Sequence, residues 1–476
     1  MLGAAYLLHV RIQPQDVAAY EKFYNESKEL RTKTEFDEKQ PAVQYRENVR
    51  KEIWAARGNE RLPLQLTSDR SELTLIQKKG SVQAIERLQG IDGWIQERAD
   101  AGSSVQELRR FQAAEGSYSY PSHQFSAGSV QVGFYRVPGE GIVQKASFSV
   151  PFATAAADEV RFDPQNGETL TLKGNFQVHS PLGQIAAGRA EIDPFDLRKK
   201  TYRIHLDQNV KIKDGVSLSI SSEKADCTVH DLSVSLLSCD ELRFEGDVVI
   251  KKTQADREMT AQGGCAIYQK GFAALYPAPS SLCRVTQGDT EILAEKIDFD
   301  FENEQLICKL PEGEWHSERL EGPIRFSAEG LIGQRNELTL ENTVKIWQDG
   351  LFWLEADRGT VSLDPEGSPS LATLQGGVRM LSTRIDGKES FALADTIVYH
   401  PLEKTATLSC EAPNKVLFWQ EGLRLSATEI KIAQSGEKGP EPLPASIAGI
   451  GDVRFSFNLE EEDSIQNLIG KYKGLR

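Results

Sequence analysis

Histidine, cysteine and paired carboxylates are the residues of this chain that could bind a metal or transfer a proton. The seven histidines show neither an H-x-H nor an H-E-x-x-H spacing, so no pair is placed to share one zinc ion. The six cysteines form no C-x-x-C pair. Asp298 and Asp300 alternate with apolar residues, so both carboxylates are expected on one solvated face of a strand. This arrangement is less typical of a catalytic pair of general acid and general base. The spacings therefore predict no metal, no cofactor and no catalytic residue.

Sequence motifs for hydrolysis and nucleotide binding are also missing. The chain contains no G-x-S-x-G, no G-x-x-x-x-G-K-[ST], and no G-x-G-x-x-G between a strand and a helix. We therefore predict that the protein is not an enzyme. A carbohydrate-active β-enzyme, which needs carboxylates that converge in a cleft, has the least support.

Composition sets the class of protein and excludes one class of partner. The 476 residues are 39% apolar, enough for a large core. The 70 acidic and 55 basic residues give a formal net charge of −15, which argues against nucleic acid, because nucleic-acid binders concentrate Lys and Arg on one face. After about residue 110, apolar and polar residues alternate in short stretches that are separated by Gly and Asp. This pattern indicates an all-β chain.

Two cysteines are close enough in sequence to bridge neighbouring strands. Cys227 and Cys239 are separated by 11 residues, and a disulfide between them is one possibility in an oxidising compartment. The alternative is that both are small buried residues.

The first residues, "MLGAAYLLHV", are apolar but much shorter than the ~20 residues that a membrane-spanning helix needs. They lack the basic region and small-residue cleavage site of a signal peptide. Because a polar, helix-forming stretch follows at 16–33, we expect the tail of a truncated membrane anchor followed by a short helical stalk. An ordinary buried segment is the alternative.

A nine-residue pattern recurs along the chain, with apolar residues at positions 1, 3, 7 and 9 and a small or polar residue at position 5. In a strand this gives one apolar face with a polar notch at its centre. The notch is often glycine, as at Gly174, Gly246, Gly376 and Gly451, which predicts a kink or bulge there. Six copies fit, at 170–178, 204–212, 242–250, 338–346, 372–380 and 447–455.

Each copy tends to be followed by a second strand that contains Leu-x-Ala-Asp/Glu, so the repeating unit is a hairpin. Phe176 to Val210 is 34 residues and Val210 to Val248 is 38, a spacing typical of repeat architectures. Asp357, Asp395 and Glu429 follow such strands and are expected to cap turns.

Two regions depart from the pattern. The stretch 81–114 has mixed periodicity that is compatible with a helix, although 61–80 resembles strands. From 251 to 335 the unit is degenerate, and one of its strands is difficult to place.

The serial pattern L-x-L-x-G-N-V-x-I with L-x-A-D resembles the OstA-like family, the LptA/LptC-type periplasmic proteins of lipopolysaccharide transport. The matching stretches include "LTLKGNFQVHSPLGQIAAGRAEID" and "LTLENTVKIWQDGLFWLEADRGTVSLD". The others are "IHLDQNVKIKDGVSLSISSEKAD", "LQGGVRMLSTRIDGKESFALADTIVY", "GSYSYPSHQFSAGSVQV" and "AGIGDVRFSF". Each motif is weak by itself, whereas their repetition is specific.

The resemblance implies an all-β fold of tandem curved, incompletely closed β-jellyrolls. It also implies a periplasmic protein whose apolar interior takes the acyl chains of lipopolysaccharide, and the expected N-terminal anchor would attach it to the inner membrane. Its open end strands would pair with other Lpt-type jellyrolls. The groove-lining residues would be the inward positions of the repeat, namely Leu172, Phe176, Val178, Leu206, Val210, Ile212, Phe244, Val248, Ile250, Leu340, Val344, Ile346, Val378, Met380, Val453 and Phe455.

These expectations divide the chain into five segments. They are an anchor or stalk at 1–40, an LptC-like β region at 41–150, OstA-like jellyrolls at 151–335 and 336–458, and a tail at 459–476. The alternative function is a structural or adhesive β-repeat protein of the cell envelope, whose interior would be a sealed core. The lipid head group and the oligomeric state are not determined by these patterns.

Overall fold

The computed structural model of the chain describes most of its strands and turns. The described residues are 21–22, 24–25, 42–57, 60–78, 81–98, 105–120, 122, 124–138, 150–163, 169–181, 183–193, 202–214, 217–229, 241–254, 257–269, 271–288, 290–316, 322–364, 368–383, 389–420, 423–433 and 446–457.

The described part of the chain is all-β and antiparallel, and it forms two compact units, 1–245 and 246–476. The first unit contains β1 Ala42–Arg57, β2 Glu60–Lys78, β3 Ser81–Arg98, β4 Val105–Ser119, β5 Gln124–Pro138, β6 Ala153–Asp163, β7 Thr169–Ser180, β8 Gly183–Asp193, β9 Tyr202–Asp214 and β10 Leu218–Val229. The chain passes from the first unit to the second within β11, Leu242–Gln254.

The second unit has many shorter strands. They are β12 Arg257–Gln269, β13 Phe272–Tyr276, β14 Cys283–Gln287, β15 Thr290–Ala294, β16 Lys296–Asp300, β17 Gln305–Lys309, β18 Glu312–Trp315, β19 Ile324–Ser327, β20 Gly330–Gln334, β21 Glu337–Gln348, β22 Phe352–Leu363, β23 Pro369–Thr383, β24 Glu389–His400, β25 Thr405–Ser409, β26 Val416–Gln420, β27 Leu423–Ala427, β28 Glu429–Ala433, β29 Ser446–Ile450 and β30 Arg454–Phe457.

The first unit is a meander in which each strand from β1 to β10 pairs with the next one along the chain. Its strands are long and bend near their centres. At the bend of β7, Gly174 and Asn175 have left-handed backbone and the register with β8 shifts between Lys173 and Phe176. Two residues of β7 therefore lie opposite one residue of β8, which is a β-bulge.

The second unit divides into two arms. Five long strands, β12 and β21 to β24, each contribute one half to the first arm and the other half to the second. Shorter strands lie on both sides of β21 to β24 in each arm. The first arm runs β13–β16–β17–β20, then the halves 337–341, 358–362, 371–375 and 396–400, then β25–β28–β29. The second arm runs β14–β15–β18–β19, then 344–348, 352–356, 378–383 and 389–394, then β26–β27–β30.

The predicted kink at the central glycine of the repeat is confirmed. Gly174, Gly246, Gly376 and Gly451 have φ of +69°, +76°, +83° and +73°. Left-handed backbone is inexpensive only for glycine, which explains the residue type at the notch. At Gly376 there is a second reason, because an added Cβ would lie 2.5 Å from Oδ2 of Asp357 on the neighbouring strand.

Alanine at Gly376 should therefore destabilise the second unit more than alanine at its neighbour Gly377. Gly377 is also left-handed, with φ of +54°, but an added Cβ there meets no atom within 4 Å. We expect Gly377→Ala to lower the free energy of unfolding by about 1 kcal/mol through backbone strain alone, and Gly376→Ala by about 2 kcal/mol or more. Urea unfolding of both variants measures the difference, and equal losses would contradict the role assigned to Asp357.

Alternation along the strands produces the core. In β22 the buried residues are Phe352, Leu354 and Ala356, then Gly359 and Val361, with the exposed pair Asp357 and Arg358 between them. The parity of the buried face changes at the bend, so both halves of one strand turn their apolar side chains to the same side. Slipping the register by one residue would expose the whole set.

The described parts of 81–114, where the periodicity is compatible with a helix, are strands: 81–98 is β3 and 105–114 belongs to β4. In β3 the buried residues include Ala84, Glu86 and Leu88 before the left-handed Gly90, and Ile91 and Gly93 after it, so the parity changes at the bend. The bend places the buried Leu88 and Ile91 three positions apart in sequence, which is also the spacing of residues on one face of a helix. The degenerate stretch 251–335 consists largely of split strands of four or five residues, too short for a clear period.

Other expectations fall partly outside the described residues. Of the predicted stalk, only residues 21, 22, 24 and 25 are described, and these four are helical. Beyond these four residues, the described part of the chain contains no helical stalk. Cys227 is buried and Cys239 lies outside the described residues, so their disulfide stays a prediction. The five predicted segments also stay a prediction, and their boundaries at 150/151 and 335/336 differ from the division between the two compact units.

Candidate functional site

The predicted groove-lining residues lie mainly on the buried faces of the two units. All sixteen except Val178, Val453 and Phe455 are buried. In the first unit, Leu170, Ile192 and Ile204 lie side by side on β7, β8 and β9 and form one row of this face. The structure thus places most of the predicted residues inside, but whether they contact an acyl chain stays a prediction.

In the second unit the buried faces of the two arms meet. The ring of Phe352, on the second arm, lies 5.1 Å from the ring of Tyr399, on the first arm, measured between centroids. β22 and β24 are separated by β23 in the ladder, so this contact crosses the interior instead of following the sheet. The two arms therefore enclose one apolar space, which we call the trough of the second unit.

A pocket lies in this trough between the arms. Its cavity volume is about 20 Å³, roughly the space of one water molecule, and it is partly open to solvent. The second arm contributes Phe352, Leu354, Met380 and Ser382 to its wall, and the first arm contributes Ile397, Tyr399, Lys404, Ala406 and Ile432.

The wall of the pocket is apolar with a few polar groups. Lys404 belongs to the turn before β25 and is half-buried, so its charge can stay hydrated while its methylene groups pack on the wall. Ser382 and Tyr399 supply hydroxyl groups. This arrangement suits an amphiphile whose chain enters the trough and whose anionic group stays near the lysine.

Sequence reasoning identified only Met380 among the residues that line the pocket. Leu354 and Ile397 lie on the second strands of the repeat hairpins, in "LEADRGTVSLD" and "LADTIVYH". Alternation within those strands could have identified them, since both are buried between exposed or half-buried neighbours. The lysine could not be found in this way, because it lies in a turn.

The trough of the second unit is uncovered at the end formed by β29 and β30. Phe455 pairs with the buried Leu425 of β27, so both side chains face the same side, but Phe455 is 60% exposed. In the described part of the chain, β30 pairs only with β27, and no strand covers its other edge. Phe455 is thus on the same side as Leu425 but is not enclosed, and its contact with an acyl chain stays a prediction.

The three acidic residues expected to cap turns have different positions. Asp357 and Asp395 lie inside β22 and β24, at their bends, instead of following strand ends. Asp395 Oδ2 accepts a hydrogen bond of 3.0 Å from the backbone N–H of Glu411. Glu429 is the first residue of β28, 3.3 Å from Lys431, and Thr428 precedes it at the bend. The Leu-x-Ala-Asp motif therefore marks strand bends.

The outer faces carry charge pairs. Asp298 lies on such a face of β16, 2.7 Å from Lys296 Nζ. Asp300, two residues on, accepts hydrogen bonds from the backbone and side chain of Asn303, which lower the pKa of its carboxyl group. Asp298 is less solvated than the sequence pattern indicates, because only 18% of its side chain is exposed and its Oδ1 is buried without a hydrogen-bond partner. Within the described residues, no cluster of three or more His, Cys, Asp or Glu is arranged to hold a metal ion.

His205 on the outer face of β9 lies between two carboxylates. Its Nδ1 is 2.6 Å from Asp226 and its Nε2 is 3.0 Å from Asp207. Partial burial opposes the charged ring, but the hydrogen bonds and charges of Asp226 and Asp207 outweigh it and raise the pKa of His205. The stabilisation is complete below the unfolded-state pKa of about 6.5 and is lost as the pH rises through the higher folded-state value.

Replacing His205 with glutamine should therefore lower stability more at pH 5.5 than at pH 8.5. Urea unfolding of the wild type and the variant at both pH values measures this difference. A loss that is equal at the two pH values, or larger at pH 8.5, would contradict a charged His205 held by the two aspartates.

No described helix of the chain has the length and hydropathy needed to cross a membrane.

Comparisons with known proteins give a partial likeness to solved structures. No family model matches the chain, and no curated protein matches it significantly. Among solved structures, the chain is similar to LptH of Pseudomonas aeruginosa, described as the LptA homologous periplasmic component of the conserved lipopolysaccharide transport device. The two are 18% identical, and the match covers 28% of this chain and 98% of LptH, with a TM-score of 0.22.

Proposed function

We propose that this chain is a non-enzymatic periplasmic protein that holds the acyl chains of lipopolysaccharide between the arms of bent β-sheets and passes them toward the outer membrane. The class of lipid follows from the resemblance of the repeated sequence motif to the OstA-like, LptA/LptC-type proteins. The physical support comes from the two facing arms, whose inner side chains are apolar and whose outer side chains are charged or polar.

The observation that carries the proposal is the apolar face that the two arms turn toward each other, which is exposed at one end. A fully closed β-domain of this size would use its apolar face only as a core, packed as densely as a crystal of small molecules. Here a small cavity of about 20 Å³ lies between Phe352, Met380, Ile397 and their neighbours, and Phe455, on the same face as Leu425, is 60% exposed. Each buried methylene group of an acyl chain would contribute about 0.8 kcal/mol there.

The uncovered end strands support the second part of the proposal, which is transfer between jellyrolls. β29 and β30 each have one ladder partner within the described residues, β28 and β27 respectively. An unpaired strand edge is a template for a strand from another chain. We propose that another Lpt-type jellyroll pairs here, so that the exposed Phe455 joins a trough that continues from one protein into the next.

The test is photo-cross-linking to lipopolysaccharide from single positions on opposite faces. Benzoylphenylalanine replaces the inward Phe176 or Val344, or the adjacent outward Asn175 or Lys345, in the same strands. We expect a lipopolysaccharide adduct from the two inward positions and little or none from the outward ones. Adducts of equal yield from both faces would contradict binding between the arms.

A structural or adhesive β-repeat protein is the second candidate, and close packing favours it. Leu340, Val344, Phe244 and Val248 have no exposed surface, as expected of a sealed core. This candidate predicts that lipopolysaccharide produces no saturable adduct at any inward position. The same cross-linking experiment therefore separates the two functions.

A further inference from the structure

The inner face of the first unit changes character toward its N-terminal strands. One row of side chains along this face can be followed through the ladder, from Cys227 through Ile204, Ile192, Leu170, Phe162 and Phe125. All of these except Ile192 are buried. The row then continues to Tyr118 on β4 and Glu86 on β3. A face that is apolar over six strands thus ends in a phenol and a carboxylate.

Glu86 is the centre of a buried polar cluster. Glu86 is only 7% exposed, and its Oε1 accepts a 2.7 Å hydrogen bond from the hydroxyl of Ser71 on β2. Oε2 accepts a 2.5 Å hydrogen bond from the hydroxyl of Tyr120, just after β4. Three consecutive segments are thereby joined through one carboxylate.

Two tyrosine side chains lie beside this carboxylate, and two other polar residues of β2 and β4 are also buried. Tyr118 contacts Tyr120 edge to face, with 4.9 Å between ring centroids, and burial together with the charge of Glu86 raises the pKa of Tyr118 to about 12. Ser68 on β2 is buried, and its hydroxyl oxygen has no hydrogen-bond partner. Arg109, on the opposite half of β4, is buried as well.

We propose that Ser71, Glu86, Tyr118 and Tyr120 form a polar barrier that sets the N-terminal limit of acyl-chain binding in the first unit. This inference rests on the proposed function. An acyl chain that advanced past β4 would have to separate Glu86 from the hydroxyl groups of Ser71 and Tyr120. It has no donor to replace them, and a buried carboxylate without donors is strongly unfavourable. The chain would therefore stop at the apolar section formed by β5 to β10.

The experiment uses palmitic acid with a diazirine on its terminal carbon, bound to the full chain and activated by light, with the labelled peptides identified by mass spectrometry. In the wild-type protein we expect label in inner residues of β5 to β10, such as Phe162, and at least tenfold less in β2 and β3. In the triple variant Ser71→Ala, Glu86→Leu, Tyr120→Phe, the label should extend into β2 and β3, because the polar groups are replaced together by apolar ones of similar shape.

The matched control removes a hydrogen bond from the outer face of the same region. Ser117 on β4 and Ser126 on β5 form a hydroxyl pair of 2.8 Å, and Ser117→Ala with Ser126→Ala should leave the label distribution unchanged. Label in β2 and β3 of the wild type at the level of β5 to β10 would overturn the barrier while leaving the proposed function intact. A folded triple variant whose label stays in β5 to β10 would also overturn it. If no inward-facing residue of either unit were labelled, the result would instead overturn the proposed function, and the barrier with it.

Discussion

Asparagine at Val344 should lower the free energy of unfolding of the second unit by about 3 kcal/mol or more. Val344 has no exposed surface and lies on β21 just after the left-handed residues Asn342 and Thr343. The variant loses about 1.5–3 kcal/mol of apolar burial. It also places an amide in the core without partners, at a cost of about 1–3 kcal/mol.

The control is the same substitution one residue further along the strand. Lys345 points to the outer side of β21, where it pairs with Glu355 in the ladder, and Lys345→Asn should change stability by no more than about 0.5 kcal/mol. Urea denaturation followed by circular dichroism measures both variants. Equal destabilisation by the two would show that β21 does not separate an inner from an outer face.

Alanine at Phe326 should cost about 3–5 kcal/mol, the usual range for a fully buried phenylalanine. Phe326 on β19 has no exposed surface, and its ring stacks on that of Trp315 with 4.3 Å between centroids. Gly313 lies against the same ring, where an added Cβ would be 2.3 Å from it. The truncated side chain would leave a cavity that these rigid neighbours cannot fill.

Phe455 provides the contrasting case. It is also an inward phenylalanine, but it lies in the uncovered end strand and is 60% exposed. Phe455→Ala should therefore change the unfolding free energy of the isolated chain by less than about 1 kcal/mol. Thermal unfolding of the two variants gives the comparison. A loss at Phe455 as large as the loss at Phe326 would show that the end of the trough is covered.

The apolar face of the bent strands was predictable where the bend preserves parity. In β7 and β21 two left-handed residues form the bulge, so the buried residues keep even numbers, as in Leu172 and Phe176 or Leu340 and Val344. In β3 and β22 the parity changes at the bend, and in β3 this change concealed the alternation typical of a strand. A search for alternation must therefore allow a one-residue shift at the centre of each strand.

Other features depend on neighbours that a single strand does not specify. Alternation gives the direction of Phe455 but not the absence of a covering strand. The pocket depends on how closely the arms approach each other, and the sequence contains no measure of that distance. Glu86 occupies an inward position where the pattern expects an apolar residue, and the hydroxyl groups of Ser71 and Tyr120 hydrogen-bond to it there.

Cysteine scanning along β22 tests most directly whether both halves of a bent strand turn their apolar side chains into one trough. Single cysteines replace residues 352–361 in a background whose six native cysteines are alanine, and each is reacted with a maleimide in the native protein. We predict slow labelling at 352, 354, 356, 359 and 361 and fast labelling at 353, 355, 357, 358 and 360. Alternation that continues without a break through 357 and 358, or uniform labelling along the strand, would contradict the account.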